Sequence, residues 1–310
     1  MPLIGSHLSI AGGMVNALDA AATLGLDSVQ VFTKNQQQWK VRPLADDEVR
    51  AWRSRVAQMG WTDGRTVSHA SYLINLASPD PELWAKSVDL MTVEIERCEA
   101  LGITFLVHHP GAFTTSTRPE GLARIAAAYQ ELATRTRGMK TVSCLENTVG
   151  SGSNMGSTFE ELAALRALIV DRGFDPARAG FCIDSCHAHA AGYNLSKSAA
   201  AAAAIEALAT TCGLANVRVL HLNDSKAACG SRRDLHEHIA KGTIGAPGFR
   251  AFLNHRDLAG RPMIMETPKG DDDSGTPFDT LNLRKLRSYM PAAAAPTRAA
   301  PRTGPQARTS

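Results

Sequence analysis

No CxxC pair and no tight framework spacing occurs among Cys98, Cys144, Cys182, Cys186, Cys212 and Cys229. In a chain of 310 residues this leads us to expect reduced thiols rather than a disulfide scaffold. No apolar run approaches the ~20 residues needed to cross a bilayer. The opening MPLIGSHLSIAGG has no basic segment followed by an apolar one, so no secretion signal is expected. These absences point to a soluble, cytoplasmic protein with no membrane partner. Charge of one sign is also scarce: the formal net charge is +3, too small to indicate nucleic-acid binding unaided.

What is present is alternation. Short apolar runs, Leu3–His7, Ser28–Phe32, Thr66–His69, Thr104–His109, Thr141–Glu146, Gly180–Asp184, Val217–His221 and Pro262–Glu266, are separated by segments of helical spacing. Val88, Met91, Ile95 and Cys98 share one helical face, as do Val15, Leu18 and Ala22, and Gly102 fits a C-cap. Strands alternating with helices predict parallel βαβ units, and eight is the number that closes a (β/α)₈ TIM barrel. The apolar fraction of 44% supplies an ample core. The expected barrel domain covers residues 1–290. Ala199–Ala204 reads as part of an outer helix. Residues 291–310, rich in Pro, Ala and Arg, read as a disordered tail.

From the third run onward each strand ends in a metal-capable residue: His69, His109, Glu146, Asp184, His221 and Glu266. A parallel barrel gathers its strand C-termini on one face, where active sites are built. One such residue can simply cap a strand beside solvent. Six in succession cannot be read that way, because Lys, Ser or Asn would cap equally well. FCIDSCH adds His187, with His189 a bystander, and HLNDSKAACGSRRDLH adds Asp234 and His236. The last two stand two apart in a loop, so in extended chain one ion can take both. In HHP, His108 and His109 lie on opposite strand faces, and the Pro110-Gly111 turn favours His109 for the rim.

The rim therefore carries Glu, Asp and His in excess of the three or four ligands that one zinc uses. Carboxylates clustered without cations would repel one another. Two or three divalent ions are expected, and ions ~3.5–4 Å apart suit in-line displacement at phosphorus.

With those residues in place, the chain resembles the endonuclease IV family of apurinic/apyrimidinic (AP) endonucleases from about Ile4 to about Leu286. The matching stretches are GSHLSIAGG, FTKNQQQW, HASYLINLAS, HHPGAF, LENTVGSGSNMG, FCIDSCHAHAAGY, HLNDSKAACGSRRDLH and METP. The resemblance implies a trinuclear zinc site, with Mn²⁺ possible at one position. His69, His109 and Glu146 would hold one ion. Glu146 would bridge to a second, held also by Asp184, His221 and Glu266, and His187, Asp234 and His236 would hold the third. It further implies hydrolysis of the phosphodiester 5′ to an abasic nucleotide by a zinc-bound hydroxide, with Glu146 and Glu266 catalytic and Glu266 orienting the attacking water. The products would be a 3′-hydroxyl and a 5′-deoxyribose phosphate. Neither a side-chain nucleophile nor an organic cofactor is needed, which agrees with the lack of a Ser-His-Asp arrangement.

The implied partner is double-stranded DNA with an abasic site, met by a monomer. The resemblance places Tyr72 and Leu73 as a wedge in the DNA, with Lys34, Gln37, Arg232 and Arg233 as further contacts. This chain departs from the family pattern in three places. Gln37 stands where some relatives have Arg, Leu235 replaces the usual basic residue, and Asp-Ser-Cys-His replaces Asp-Thr-Cys-His at Asp184–His187. Two other readings are a metal-dependent sugar isomerase or epimerase on a related barrel, and a non-catalytic abasic-DNA-binding protein.

Overall fold

The computed structural model describes residues 1–62 and 64–291. The expected tail from residue 291 lies outside them apart from Pro291. Ten strands are formed among the described residues: β1 (Leu3–His7), β2 (Ser28–Val31), β3 (Thr66–His69), β4 (Phe105–His108), β5 (Val142–Glu146), β6 (Ala179–Asp184), β7 (Val217–His221), β8 (Asp224–Ser225), β9 (His236–Glu237) and β10 (Pro262–Met265). The helices are α1 (Val15–Leu24), α2 (Asp46–Gln58), α3 (Pro81–Leu101), α4 (Arg118–Arg135), α5 (Phe159–Asp171), α6 (Ser185–Ala191), α7 (Ser198–Cys212), α8 (Gly245–Leu253) and α9 (Phe278–Arg287).

Strands β1 to β7 and β10 close a barrel in the order β1-β10-β7-β6-β5-β4-β3-β2, which is the expected fold. Every pairing within it is parallel. Strands β8 and β9 make a separate two-stranded antiparallel ribbon between β7 and β10. At Gly5 in β1 a Cβ would fall 2.4 Å from Ser28 Oγ, so only glycine lets β1 approach β2 this closely.

Two apolar layers hold the barrel. Strand residues and helices pack outside it, and Val67, Val107, Cys144, Cys182, Val219 and Ile264 fill the inside. Helix α3 shows why the sequence forms these elements. Asp80 caps its first turn by accepting from Glu82 N and Leu83 N, Pro81 occupies the first turn, and Gly102 ends it in the left-handed region at φ 72°. Its expected face, Val88, Met91, Ile95 and Cys98, is fully buried. The expected face of α1 requires correction. Met14, Ala17, Leu18 and Ala21 are buried while Ala22 is exposed, so the stripe runs one residue earlier than Val15-Leu18-Ala22 suggested. Helix α7 contains the Ala199–Ala204 run, with Ala201 and Ala204 turned inward.

Candidate metal centre

Strand alternation builds the centre. Residues two apart point to the same face, and each interior apolar residue is followed two positions later by a metal-capable one. The pairs are Val67 and His69, Val107 and His109, Cys144 and Glu146, Cys182 and Asp184, Val219 and His221, and Ile264 and Glu266. The barrel's inner row thus turns from apolar to polar at one rim. His109 and Glu266 stand one residue beyond β4 and β10, a small correction to the strand ends expected from sequence.

The donor atoms converge. Glu146 Oε2 lies 3.1 Å from His69 Nε2 and 3.4 Å from His109 Nε2. Its Oε1 lies 3.0 Å from His221 Nδ1 and 3.4 Å from His187 Nδ1. His221 Nδ1 is also 3.2 Å from Glu266 Oε2 and 3.8 Å from Asp184 Oδ2. Asp234 offers Oδ2 to His187 Nε2 and Oδ1 to His236 Nε2, each at 3.2 Å. Donor atoms lie within 4.8 Å of one another in His69-His109-Glu146, in Glu146-Asp184-His221-Glu266 and in His187-Asp234-His236. Those are the three sets that the resemblance implies.

Supporting groups fix these side chains. Asp184 Oδ2 accepts from Asn223 Nδ2 at 2.6 Å, and Asn223 Oδ1 accepts from Glu266 N at 2.7 Å. His187 sits in α6, because Asp184 Oδ1 caps that helix by accepting His187 N at 2.7 Å. His108 points away, its Nε2 2.7 Å from Tyr129 Oη, leaving His109 for the rim. His189 also stays apart from the centre, its Nδ1 accepting from Leu195 N at 3.2 Å.

Sequence reasoning missed two residues of this layer. His7 lies in β1 and Gln30 in β2, opposite one another in register, so the first two strands also contribute polar groups. Gln30 Nε2 lies 2.6 Å from Glu266 Oε1, and His7 Nδ1 lies 3.4 Å from the same oxygen. The signal was available: His7 ends its apolar run, and Gln30 interrupts a buried one.

The imidazoles test whether cations fit. His69, His187 and His236 each direct Nδ1 at a main-chain carbonyl, of Ala70 at 2.8 Å, Asn147 at 2.9 Å and Glu266 at 3.2 Å. A neutral ring has one N–H, so donation there leaves Nε2 as a lone pair facing carboxylate oxygen. That opposition is relieved by a second proton on the ring or by a cation between the two atoms. His236 Nε2 is buried, and among the described residues no acceptor meets it in hydrogen-bond geometry although Asp234 Oδ1 lies 3.2 Å away. The donor set, imidazole nitrogen and carboxylate oxygen with second nitrogens tied to acceptors, fits a first-row divalent ion.

Electrostatics point the same way. Burial alone would raise the Glu146 and Glu266 carboxyls, yet His221 beside both, with His109 beside Glu146, holds them well below the usual range. Burial alone would lower the histidines. Instead Asp184 and Asp234 lift His187 well above its ordinary value, Glu266 and Glu146 do so for His221, and Asp234 and Asp184 raise His236 to about 9. The rim is a field of buried negative charge that demands positive charge, protons or metal. Cys182 and Cys186 also approach the cluster, but burial pushes both thiols up to about 12, so they stay neutral.

An open groove of about 1290 Å³ leads to the centre, lined among others by His7, Phe32, Gln37, Tyr72, His236 and Glu266. Tyr72 is 62% exposed and its ring centroid lies 5.2 Å from that of His69 and 6.0 Å from that of His109. Leu73 is half-buried and packs on the main core. Gln37, Arg232 and Arg233 are exposed. Lys34 is not free in the same sense, because its side chain is buried with the ammonium 3.4 Å from Glu94.

Comparison with known proteins adds kinship. A family model described as a xylose isomerase-like TIM barrel matches residues 18–286. The chain is 41% identical over 293 residues to a Chloroflexus aurantiacus protein named "Probable endonuclease 4", covering 94% of this chain and 100% of that one. The crystal structure of endonuclease IV from Thermus thermophilus superposes with a TM-score of 0.79 at 38% identity, covering 93% of this chain and 98% of that one. A D-tagatose 3-epimerase-like protein superposes with a TM-score of 0.67 over 92% of this chain and 96% of its own, but at 17% identity it shares the fold alone.

Proposed function

The chain belongs to the endonuclease IV family, and on that premise we propose that it is a metal-dependent DNA-repair endonuclease that cuts the phosphodiester 5′ to an abasic nucleotide. The observation that carries this reading is the convergence of the three donor sets around Glu146, with lone pairs facing carboxylate oxygens.

In this reading His69, His109 and Glu146 hold one ion, Glu146, Asp184, His221 and Glu266 a second, and His187, Asp234 and His236 a third. The donors suit zinc, and Mn²⁺ accepts a similar N/O set at one position. Bound there, the ions would supply Lewis-acid stabilisation of charge at phosphorus and lower the pKa of a water towards ~7. The protein's own groups do the rest. Glu146 turns one oxygen to each of two donor sets, which supports its role as the bridge. Glu266 borders the groove and accepts a hydrogen bond from the attacking water, fixing its direction. The nick leaves a 3′-hydroxyl and a 5′-deoxyribose phosphate, with no organic cofactor.

Tyr72 stands over the centre from the groove side, where an aromatic face can fill the place of a missing base. Leu73 stiffens that loop through the core. Gln37, Arg232 and Arg233 meet the sugar-phosphate backbone, and Lys34 acts by anchoring its own loop to Glu94. A monomer acting in the cytoplasm suffices for this chemistry.

The test offers purified protein a duplex with one abasic site, an intact duplex, and a ketohexose in deuterated water. Incision of the abasic duplex alone is expected. Deuterium entering the sugar with both duplexes intact would replace this reading with the epimerase chemistry of the fold neighbours.

A further inference from the structure

Gln30 stands within β2 and is completely buried. A primary amide in an interior is tolerated when its oxygen and both N–H groups find partners. All three do. Oε1 lies 2.8 Å from His221 Nε2, while Nε2 lies 2.6 Å from Glu266 Oε1 and 2.9 Å from His7 Nδ1. Reversing the amide would set its oxygen against the Glu266 carboxylate, two acceptors face to face, so one orientation satisfies the group.

That orientation dictates the state of three neighbours. His221 must donate from Nε2, which leaves the Nδ1 lone pair facing Glu146 Oε1 at 3.0 Å and Glu266 Oε2 at 3.2 Å. Glu266 has Oε1 committed to the amide, so Oε2 is the oxygen turned to His221. His7 must accept at Nδ1, which leaves its Nε2–H as the free donor of a ring that borders the groove.

We propose that Gln30 is a positioning residue of the metal centre, one amide that selects the His221 tautomer presenting Nδ1 and holds Glu266 with Oε2 toward the shared cation position. This rests on the reading that His221 and Glu266 bind an ion. Groups in this relation to metal ligands alter affinity by roughly 10–100-fold when removed.

The test compares zinc-loaded wild-type protein with Gln30→Met, which keeps the length and removes the amide. Both are dialysed against a graded series of zinc buffers, and bound zinc per chain is counted. Gln30→Met should release one ion at free zinc roughly 10–100-fold higher than wild type does, with the remaining ions unchanged. Retention of every ion at the wild-type threshold, or equal weakening of all of them, would overturn the proposal. A second measurement needs no variant: nitrogen-15 NMR of the histidines in loaded wild-type protein should show His221 protonated at Nε2 and His7 protonated at Nε2. A His221 ring protonated at Nδ1 would also overturn it. Wild-type protein that took up no zinc would defeat the metal reading itself, and the role of Gln30 with it.

Discussion

His69 Nε2 lies 3.1 Å from Glu146 Oε2, although both residues are buried and the other nitrogen of the ring is committed to the Ala70 carbonyl at 2.8 Å. A neutral imidazole there would oppose a lone pair to a carboxylate. The same conflict recurs where His187 and His236 meet Asp234. Three unrelated stretches of chain share a conflict that cations resolve.

Glu146→Ala removes the carboxylate shared by the His69-His109 and the Asp184-His221-Glu266 donor sets. It should abolish uptake of about two of three ions and lower incision by ~10³-fold, the equivalent of the several kcal/mol that metal stabilisation supplies. Metal analysis beside a gel assay checks both. A variant with full metal content and wild-type rate would contradict the bridging role.

The metal-free protein should have an unusual pH profile. Its His236 is raised to about 9 by Asp234 and Asp184 against the burial that would lower it. A group whose folded pKa lies above its unfolded value contributes stability that is complete below the unfolded pKa, ~6.5 for His, and lost as pH rises through the folded one. His187 and His221 shift in the same direction. EDTA-treated protein should therefore melt at lower temperature at pH 9 than at pH 6, while zinc-loaded protein, whose ligands must be neutral imidazoles, should not show that fall. Melting curves at three pH values with and without zinc decide it, and a flat metal-free profile would count against the charge balance described.

Tyr72→Ala removes an exposed ring. Affinity for an abasic duplex should fall by about 10–100-fold, the range of a stacking contact, with unfolding free energy changed by less than about 0.5 kcal/mol. Fluorescence anisotropy and urea unfolding measure the two. A loss of stability with unchanged affinity would mean that Tyr72 only packs the rim.

Lys34 and Arg233 should separate cleanly. Lys34→Met leaves Glu94 buried without its counter-charge and should cost about 3 kcal/mol of stability. Arg233→Ala should leave stability intact and reduce the slope of log affinity against log salt by about one unit. Leu235→Arg, restoring the usual basic character, should tighten DNA binding. Equal effects of the Lys34 and Arg233 changes on the salt slope would contradict the internal role of Lys34.

The barrel and the donor ring were legible because one period carries both. A parallel strand alternates with period two, so the interior Val67 announces His69, and Val219 announces His221. His187 in α6 was less legible, since the helix depends on Asp184 acting as both cap and donor. The α1 face was misjudged by one residue because alanines at positions 17, 20, 21 and 22 leave the apolar stripe ill-defined in the sequence. Gln30 shows in the sequence only as a polar break in a buried run. Its role follows from three partners brought together only by barrel closure. The sequence reads Lys34 as a DNA contact because its buried partner Glu94 comes from α3, far along the chain.

The most direct test of the central claim uses a duplex with one tetrahydrofuran abasic analogue, which cannot undergo β-elimination, and counts bound metal in the same sample. A nick on the 5′ side with a 3′-hydroxyl end, in protein holding two or three zinc ions per chain and silent after chelation, is the expected result. An intact duplex in protein with full metal occupancy would contradict the endonuclease assignment.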